Sequence, residues 1–428
     1  MSTQSNEPES AVPEKSALRE VLSRRTLPVY SAFFFWAFGT GGLWLVRPLF
    51  AYEIGGTFFL VALVSAASVT PRVVLGPVTG HLTDRFGRRP FVILGAVFHI
   101  GALTGDFFVG TYWQFLVLEL VAGSGIAMYQ TSATVLMADA TRSATRGRAI
   151  AVRQVTSRFG NLSGPVVGGV IAALFGLRWV FIFIAVTKFM VILVTVFAVK
   201  EFRAPRERST PKPSVAKRSG HMPDLDMFRT RAFLSLAIGT VALGLVNGGT
   251  GVFRTLFPPQ AEVVAGLSQV QIGNLIAVAG LFALISSVPS GIVIDRFGRK
   301  RPLLVGLVAT AIGTYLMAIT GSFSAALLAV VVFGLAEALG QGSIQTYAMD
   351  QAPVEKRGAF LGGWIVFTNM GQITGPLVIG TIADVYGFRT GFMTVVITLL
   401  VAALVIAVLG RGSRPAPERP ESQASRDS

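Results

Sequence analysis

The sequence contains no cysteine, which excludes disulfide bonds, thiol chemistry and zinc–thiolate sites. Charge is scarce as well: Asp, Glu, Lys and Arg make up 14% of the 428 residues, against about 25% in an average soluble domain. The 3 histidines, His81, His99 and His221, are dispersed and form no His-x-x-x-His pair, so a helical metal-hydrolase site is excluded. No Gly-Lys dipeptide occurs, so there is no Gly-x-x-x-x-Gly-Lys phosphate loop to drive ATP hydrolysis. An enzyme is therefore not expected, and neither is a cofactor or a bound metal. What the chain has in abundance is apolar: 52% hydrophobic residues, with a mean hydropathy of +0.63.

The apolar residues gather into twelve runs, the first from Val29 to Tyr52 and the others starting near Phe58, Pro90, Tyr112, Arg148, Trp179, Phe233, Gln271, Pro302, Phe323, Ala359 and Gly391. Each run has room for a helix of roughly 20 residues, enough to cross a bilayer, whereas a membrane barrel would alternate over segments of about 10. The expected fold class is an all-α membrane protein with twelve transmembrane helices. The polar start of the chain has no short apolar core ending in a cleavage site, which argues against a signal peptide.

A net charge of +15 would suggest nucleic acid in a soluble protein, but its distribution gives another explanation. Lys and Arg concentrate in the ends of the chain and in alternate connections between runs, while only Arg178 and Arg389 fall in the connections on the other side. This asymmetry predicts both termini in the cytoplasm and places the positive charge against the anionic inner leaflet, with no nucleic acid partner. The expected organisation is a disordered cytoplasmic tail over 1–27, a six-helix bundle over 28–199, a basic cytoplasmic linker over 200–232, a second six-helix bundle over 233–409 and a tail over 410–428.

Self-similarity defines the architecture. The turn Gly80-His-Leu-Thr-Asp84-Arg85-Phe-Gly87-Arg88-Arg89 recurs 211 residues later as Gly291-Ile-Val-Ile-Asp295-Arg296-Phe-Gly298-Arg299-Lys300. The same offset joins Gly123 to Gly334, Gln130 to Gln341, Asp139 to Asp350, Gly164-Pro165 to Gly375-Pro376 and Arg178 to Arg389. Spans one to six are thus repeated as seven to twelve, which implies two pseudo-symmetric six-helix bundles with a cleft between them.

These repeated turns and the duplicated twelve-span layout resemble the major facilitator superfamily of secondary transporters, over about Leu27 to Leu409. The resemblance implies a gating role for Asp84 and Asp295, each set to pair with basic groups or a helix N-terminus across a closed cytoplasmic side. In the fifth span Gly160, Gly164, Pro165, Gly168 and Gly169 resemble the glycine–proline signature of that superfamily's proton-exchanging exporters, with a shorter copy at Gly371, Gly375 and Pro376. Small residues at this spacing also serve ordinary close packing of helices. One departure lies in span four, where those exporters place an arginine ahead of Gly123-Ser-Gly125 and this chain has Glu119. Glu119 is either a proton carrier in a low-dielectric site or a solvated residue near the outer end of its span.

Six basic residues lie within the spans, where a charge costs about 3 kcal/mol and normally faces a polar interior: Arg47, Arg72, Arg153, Arg158, Lys188 and Arg254. Arg47 and Arg254 follow matching Gly-Gly pairs in spans one and seven. They resemble the symmetry-related arginines with which organophosphate exchangers of the superfamily grip an anion; snorkelling at the outer ends is the alternative. Arg72 and Arg158 are further cavity candidates, Gln130 and Gln341 add polar lining, and Asn247 and Glu337 contribute an amide and a carboxylate from the second half. His99 is expected to be packed, with His81 in the turn and His221 in the linker. The resulting expectation is a monomeric inner-membrane transporter that exchanges protons for a small organic solute, with Glu119 or Glu337 carrying the proton. Anion exchange or uptake through Arg47 and Arg254 is the alternative.

Overall fold

A computed structural model of the protein describes residues 23, 26–141, 145–199, 230–246, 251–352 and 357–410. Asn247, the side chain of Asp84, most of both predicted tails and most of the predicted linker lie outside them. The described residues form helices α1 (Leu27–Gly55), α2 (Phe58–Phe86), α3 (Arg89–Phe108), α4 (Tyr112–Asp139), α5 (Arg146–Phe175), α6 (Leu177–Phe197), α7 (Arg231–Val246), α8 (Val252–Val263), α9 (Gln269–Phe297), α10 (Lys300–Ala318), α11 (Phe323–Gln351), α12 (Arg357–Tyr386) and α13 (Phe388–Leu409). Ten of them are long and apolar enough to cross a membrane. Their outward surfaces carry large apolar side chains such as Val74, Trp113, Phe175, Val288 and Leu404, which in water would be a liability and in lipid are ordinary. The predicted seventh span is divided into α7 and α8, and α8 carries Pro258 and Pro259.

Short signals at the helix ends recur with the 211-residue offset. Gly87 and Gly298 end α2 and α9 at φ 97° and 77°, and Gly176 and Gly387 precede α6 and α13 at φ 94° and 87°. Only glycine takes this backbone conformation without strain. Thr57 and Ser268 are matching N-caps, accepting from the amides of Leu60 and Gln271. Ser322 caps α11 in the same way through Ala325, at the position that matches Thr111 before α4. These caps satisfy amides that lipid could not.

The glycines of α5 bring it backbone to backbone with two partners. A Cβ on Gly160 would lie 2.7 Å from the Phe34 carbonyl of α1, and one on Gly164 would collide with the Phe38 carbonyl. Gly169 faces the opposite way, where a Cβ would come within 2.7 Å of the Gln269 carbonyl of α9. In the second half Gly371 and Gly375 press α12 on α7 in the same manner, and Gly380 sets α12 against Phe58 of α2, again at 2.7 Å. The copy in α12 therefore keeps one glycine of the pair Gly168-Gly169, because the cross-contact needs it.

Both cross-contacts, α5 on α9 and α12 on α2, lie towards the face where α1 ends, called here the far face. Asp384 adds a latch to it: its Oδ1 and Oδ2 accept from the Phe58 and Phe59 amides, each at 2.8 Å, at the exposed N-terminus of α2. At the near face, where α1 begins, turn residues form ion pairs inside each half. Arg88 binds Asp139 at 3.1 Å, and Arg299 binds Asp350 at 3.0 Å and Asp295 at 3.0 Å. A Cβ on Gly291 would meet nothing within 4 Å. The far face is closed, and among the described residues Asp295 pairs with Arg299 of its own half.

Hydrogen bonds to a charged acceptor contribute about 1.5–3 kcal/mol each. Replacing Asp384 by Ala removes two of them, so the closed fraction of the far face is expected to fall by about tenfold or more. Spin labels on cysteines introduced at Gly110 and Gly321, exposed in the far-face connections of the two halves, measure this. An unchanged distance distribution would refute the latch.

Candidate functional site

A polar stripe on α5 begins the site. Gln154, Ser157, Arg158 and Asn161 fall at the i, i+3, i+4, i+7 positions of one helix face, and all four line a central chamber of about 460 Å³ between the halves. Facing them from the second half are Arg254 of α8 and a second stripe on α11, Glu337, Gln341 and Gln345, spaced one turn apart. The chamber continues into two lobes. One, of about 430 Å³, lies in the first half and is lined by Trp36, Arg47, Arg72, Gln130 and Arg153; it shares Trp44, Gln154, Ser157 and Asn161 with the centre. The other, of about 250 Å³, lies in the second half with Trp364, Thr368 and Gln372, and shares Arg254, Glu337, Gln341 and Gln345.

Arg254 crosses the chamber. Its guanidinium stacks 3.6 Å above the ring of Trp44 in α1 and stands 4.0 Å from Glu337. Cation–π contact of this kind contributes about 0.5–2 kcal/mol. It presents the guanidinium edge, which carries the donors, to the chamber. Trp364 is held by a bond from its indole Nε1 to Thr240 Oγ1 at 2.7 Å.

Arg47 is a correction to the sequence expectation. It neither snorkels nor forms a clamp with Arg254: its Nε donates to Glu119 Oε1 at 2.8 Å, with Arg47 7% exposed and Glu119 fully buried. Glu119 is thus not a solvated outer-end residue. Phe50, one turn along α1 from Arg47, and Phe115, one turn before Glu119, pack edge to face at 5.2 Å together with Phe181, which seals the pair from the far face. The two arginines also differ in depth, since Glu119 matches Val330 at the repeat offset and Glu337 lies about two turns further along.

Among the other predicted residues, Arg72 and Gln130 line the first lobe, and Arg158, Glu337 and Gln341 line the centre. Arg153 stacks over Phe33 at 5.0 Å in the first lobe. Lys188 is buried, donating to the Trp36 carbonyl and to Thr40 Oγ1, and His99 is packed against Trp36 as expected. Sequence reasoning missed Trp44, the uncharged members of the α5 stripe, Gln345 and Asp106. The i, i+3, i+4, i+7 spacing of polar residues within an apolar run was the available signal for the stripe.

Removing one partner of a buried ion pair leaves the other charge uncompensated, at a cost of about 3–5 kcal/mol. Glu119→Gln is therefore expected to lower the melting temperature of the purified protein markedly, while the double variant Arg47→Met/Glu119→Leu recovers most of the loss. Equal melting of Glu119→Gln and wild type would refute a dry pair.

A polar chamber enclosed by two internally repeated sets of helices, closed at one face, within an apolar outer surface, defines a membrane transporter. The chain belongs to the Major Facilitator Superfamily, whose family model matches residues 29–263 and 242–427; it is a transporter and not an enzyme. Multidrug resistance protein MdtG of Dickeya zeae (strain Ech586) is 26% identical over 336 residues, 77% of this chain and 79% of that protein. Multidrug resistance protein 2 of Bacillus subtilis (strain 168) is 25% identical over 338 residues, 77% and 82% of the two chains. The fold matches that of a bacterial homolog of the human lysosomal transporter Spinster, crystallised inward-facing and occupied, with a TM-score of 0.75 at 16% identity over 95% of this chain and 100% of that one. The nucleoside transporter NupG matches with a TM-score of 0.72 at 14% identity over 90% of this chain and 98% of that one.

Proposed function

We propose that this chain is a proton-coupled exporter of a small organic solute, acting as a monomer of twelve spans in two pseudo-symmetric six-helix bundles that rock about the central chamber. Both termini lie in the cytoplasm of a cell with this protein in its inner membrane, so the described state is inward-facing. The observation that carries the reading is a continuous midplane chamber whose walls come from both halves, with a latch at the far face. The relatives' multidrug names and the α5 glycines, which shape one wall, support export. A proton crossing 100 mV supplies about 2.3 kcal/mol, and carboxyl groups are present at membrane depth.

The lining narrows the solute. Arg72, Arg153, Arg158 and Arg254 face Glu337 as the one carboxyl group among the chamber-lining residues, once Arg47 is assigned to Glu119. Trp36, Trp44 and Trp364 add flat apolar surface. Such a chamber favours an aromatic solute bearing an anionic group over a cationic one, and this is where the alternative of anion transport retains support.

Everted membrane vesicles given a proton gradient are expected to accumulate carboxyfluorescein in preference to ethidium. Arg158→Gln and Arg254→Gln each remove hydrogen bonds to a charged group and are expected to weaken carboxyfluorescein uptake about 10- to 100-fold. Uptake of ethidium alone, indifferent to both substitutions, would overturn the anionic assignment. Uptake of neither dye, with none of a broader panel, would overturn export.

A further inference from the structure

Inside the first half, the charges are not matched one to one by contact. Arg47 and Glu119 make one hydrogen bond, which leaves Arg47 Nη2 and Glu119 Oε2 buried without a hydrogen-bond partner. Asp106, close to the end of α3, is fully buried, and neither of its carboxyl oxygens has a hydrogen-bond partner among the described residues. It lies within electrostatic reach of both Glu119 and Arg47. Two carboxyl groups are therefore within electrostatic reach of one guanidinium that bonds to only one of them.

On α3 itself His99 is buried against Trp36 with neither ring nitrogen hydrogen-bonded among the described residues, and the charged groups on the neighbouring helices have other commitments. Arg178 at the start of α6 donates from Nη1 to the Phe107 carbonyl at 2.8 Å. Lys188, deeper in α6, is committed to Trp36 and Thr40. Arg72 of α2 reaches Arg47 and Glu119 electrostatically and lines the first lobe. None of them bonds to Asp106. A second carboxylate without a bonded cation or hydrogen-bond donor is strongly disfavoured in a dry interior, whereas a neutral carboxylic acid is tolerated there.

We propose that Asp106 is the residue that binds the coupling proton, and that its ionisation draws Arg47 away from its exclusive pairing with Glu119. The step is a simple dissociation. The Asp106 O–H bond breaks in the inward-facing state, its electron pair stays on the carboxylate, and the proton passes to water of the first lobe, which Arg47 lines; the carboxylate takes its next proton from outside when the far face, one helix end away, opens. The free Arg47 Nη2 then has an acceptor. Because Trp44 lies one turn before Arg47 in α1 and carries Arg254 on its ring, a shift of Arg47 moves the wall of the chamber. Neither Glu119 nor Glu337 is needed as carrier, since each already has an arginine beside it.

The proposal rests on proton-coupled transport, but its test needs no solute. Full-length protein in liposomes is examined by infrared difference spectroscopy between acidic and alkaline pH. A protonated-carboxyl carbonyl band is expected, lost in the isosteric Asp106→Asn and retained in Glu262→Gln, which alters a carboxyl group outside the cluster. In parallel, the spin-label distance between Gly110 and Gly321 is expected to shift with pH in wild type, to be indifferent to pH in Asp106→Asn, and to regain its shift in Asp106→Glu. Survival of the band in Asp106→Asn, or a wild-type pH response in that variant, would overturn the assignment. If both readouts hold while no solute is exported, the proton site stands and the export reading fails.

Discussion

The arrangement depends on how closely α5 can approach α1. Hydrocarbon offers no solvent-driven force to press two apolar helices together, so their association rests on contact distance. Gly160 and Gly164 remove the side chains that would hold α5 off Phe34 and Phe38, and Gly41 removes one from the other surface. With that crossing fixed, the opposite side of α5 presents Gly169 to α9, and the same helix both builds the first half and meets the second. The polar stripe of α5 faces the chamber because those two other sides are already occupied.

Charge follows from this placement. Wherever a helix is held on two sides, its ionisable residues have few places to point, and each must reach water in the chamber or find a partner in the interior. Arg158 and Arg254 take the first course, and Arg47 takes the second with Glu119. Both halves line the chamber with polar and aromatic groups, Arg158 and Trp44 from the first and Glu337 and Trp364 from the second, and the first half also buries the Arg47–Glu119 pair.

Much of this could be read from the residues alone. The repeated turns, their glycines and the motif of span five rest on local backbone requirements, which a sequence displays directly, and Gln130 and Gln341, joined by the repeat offset, both line the chamber. Arg47 shows the limit: its partner is 72 residues away, and its late position in the span suggested a side chain reaching for the interface. Whether an arginine snorkels or is sealed under Phe50 and Phe115 depends on packing between three helices, and no spacing within one helix records that. Asp106 was overlooked for the same reason, since an acid near a helix end resembles a surface residue until its neighbours are known.

Asp384 breaks the symmetry that the rest of the molecule observes. Its counterpart at the repeat offset is Ala173, so the N-terminus of α2 receives a carboxylate from the opposite half while the matching end of α9 relies on its own Ser268 and Gln271. A duplicated scaffold by itself gives two interchangeable interfaces; one aspartate makes them unequal. The resting bias of the transporter, and hence how long it dwells before turning over, can drift in evolution through this peripheral position without altering what the chamber recognises.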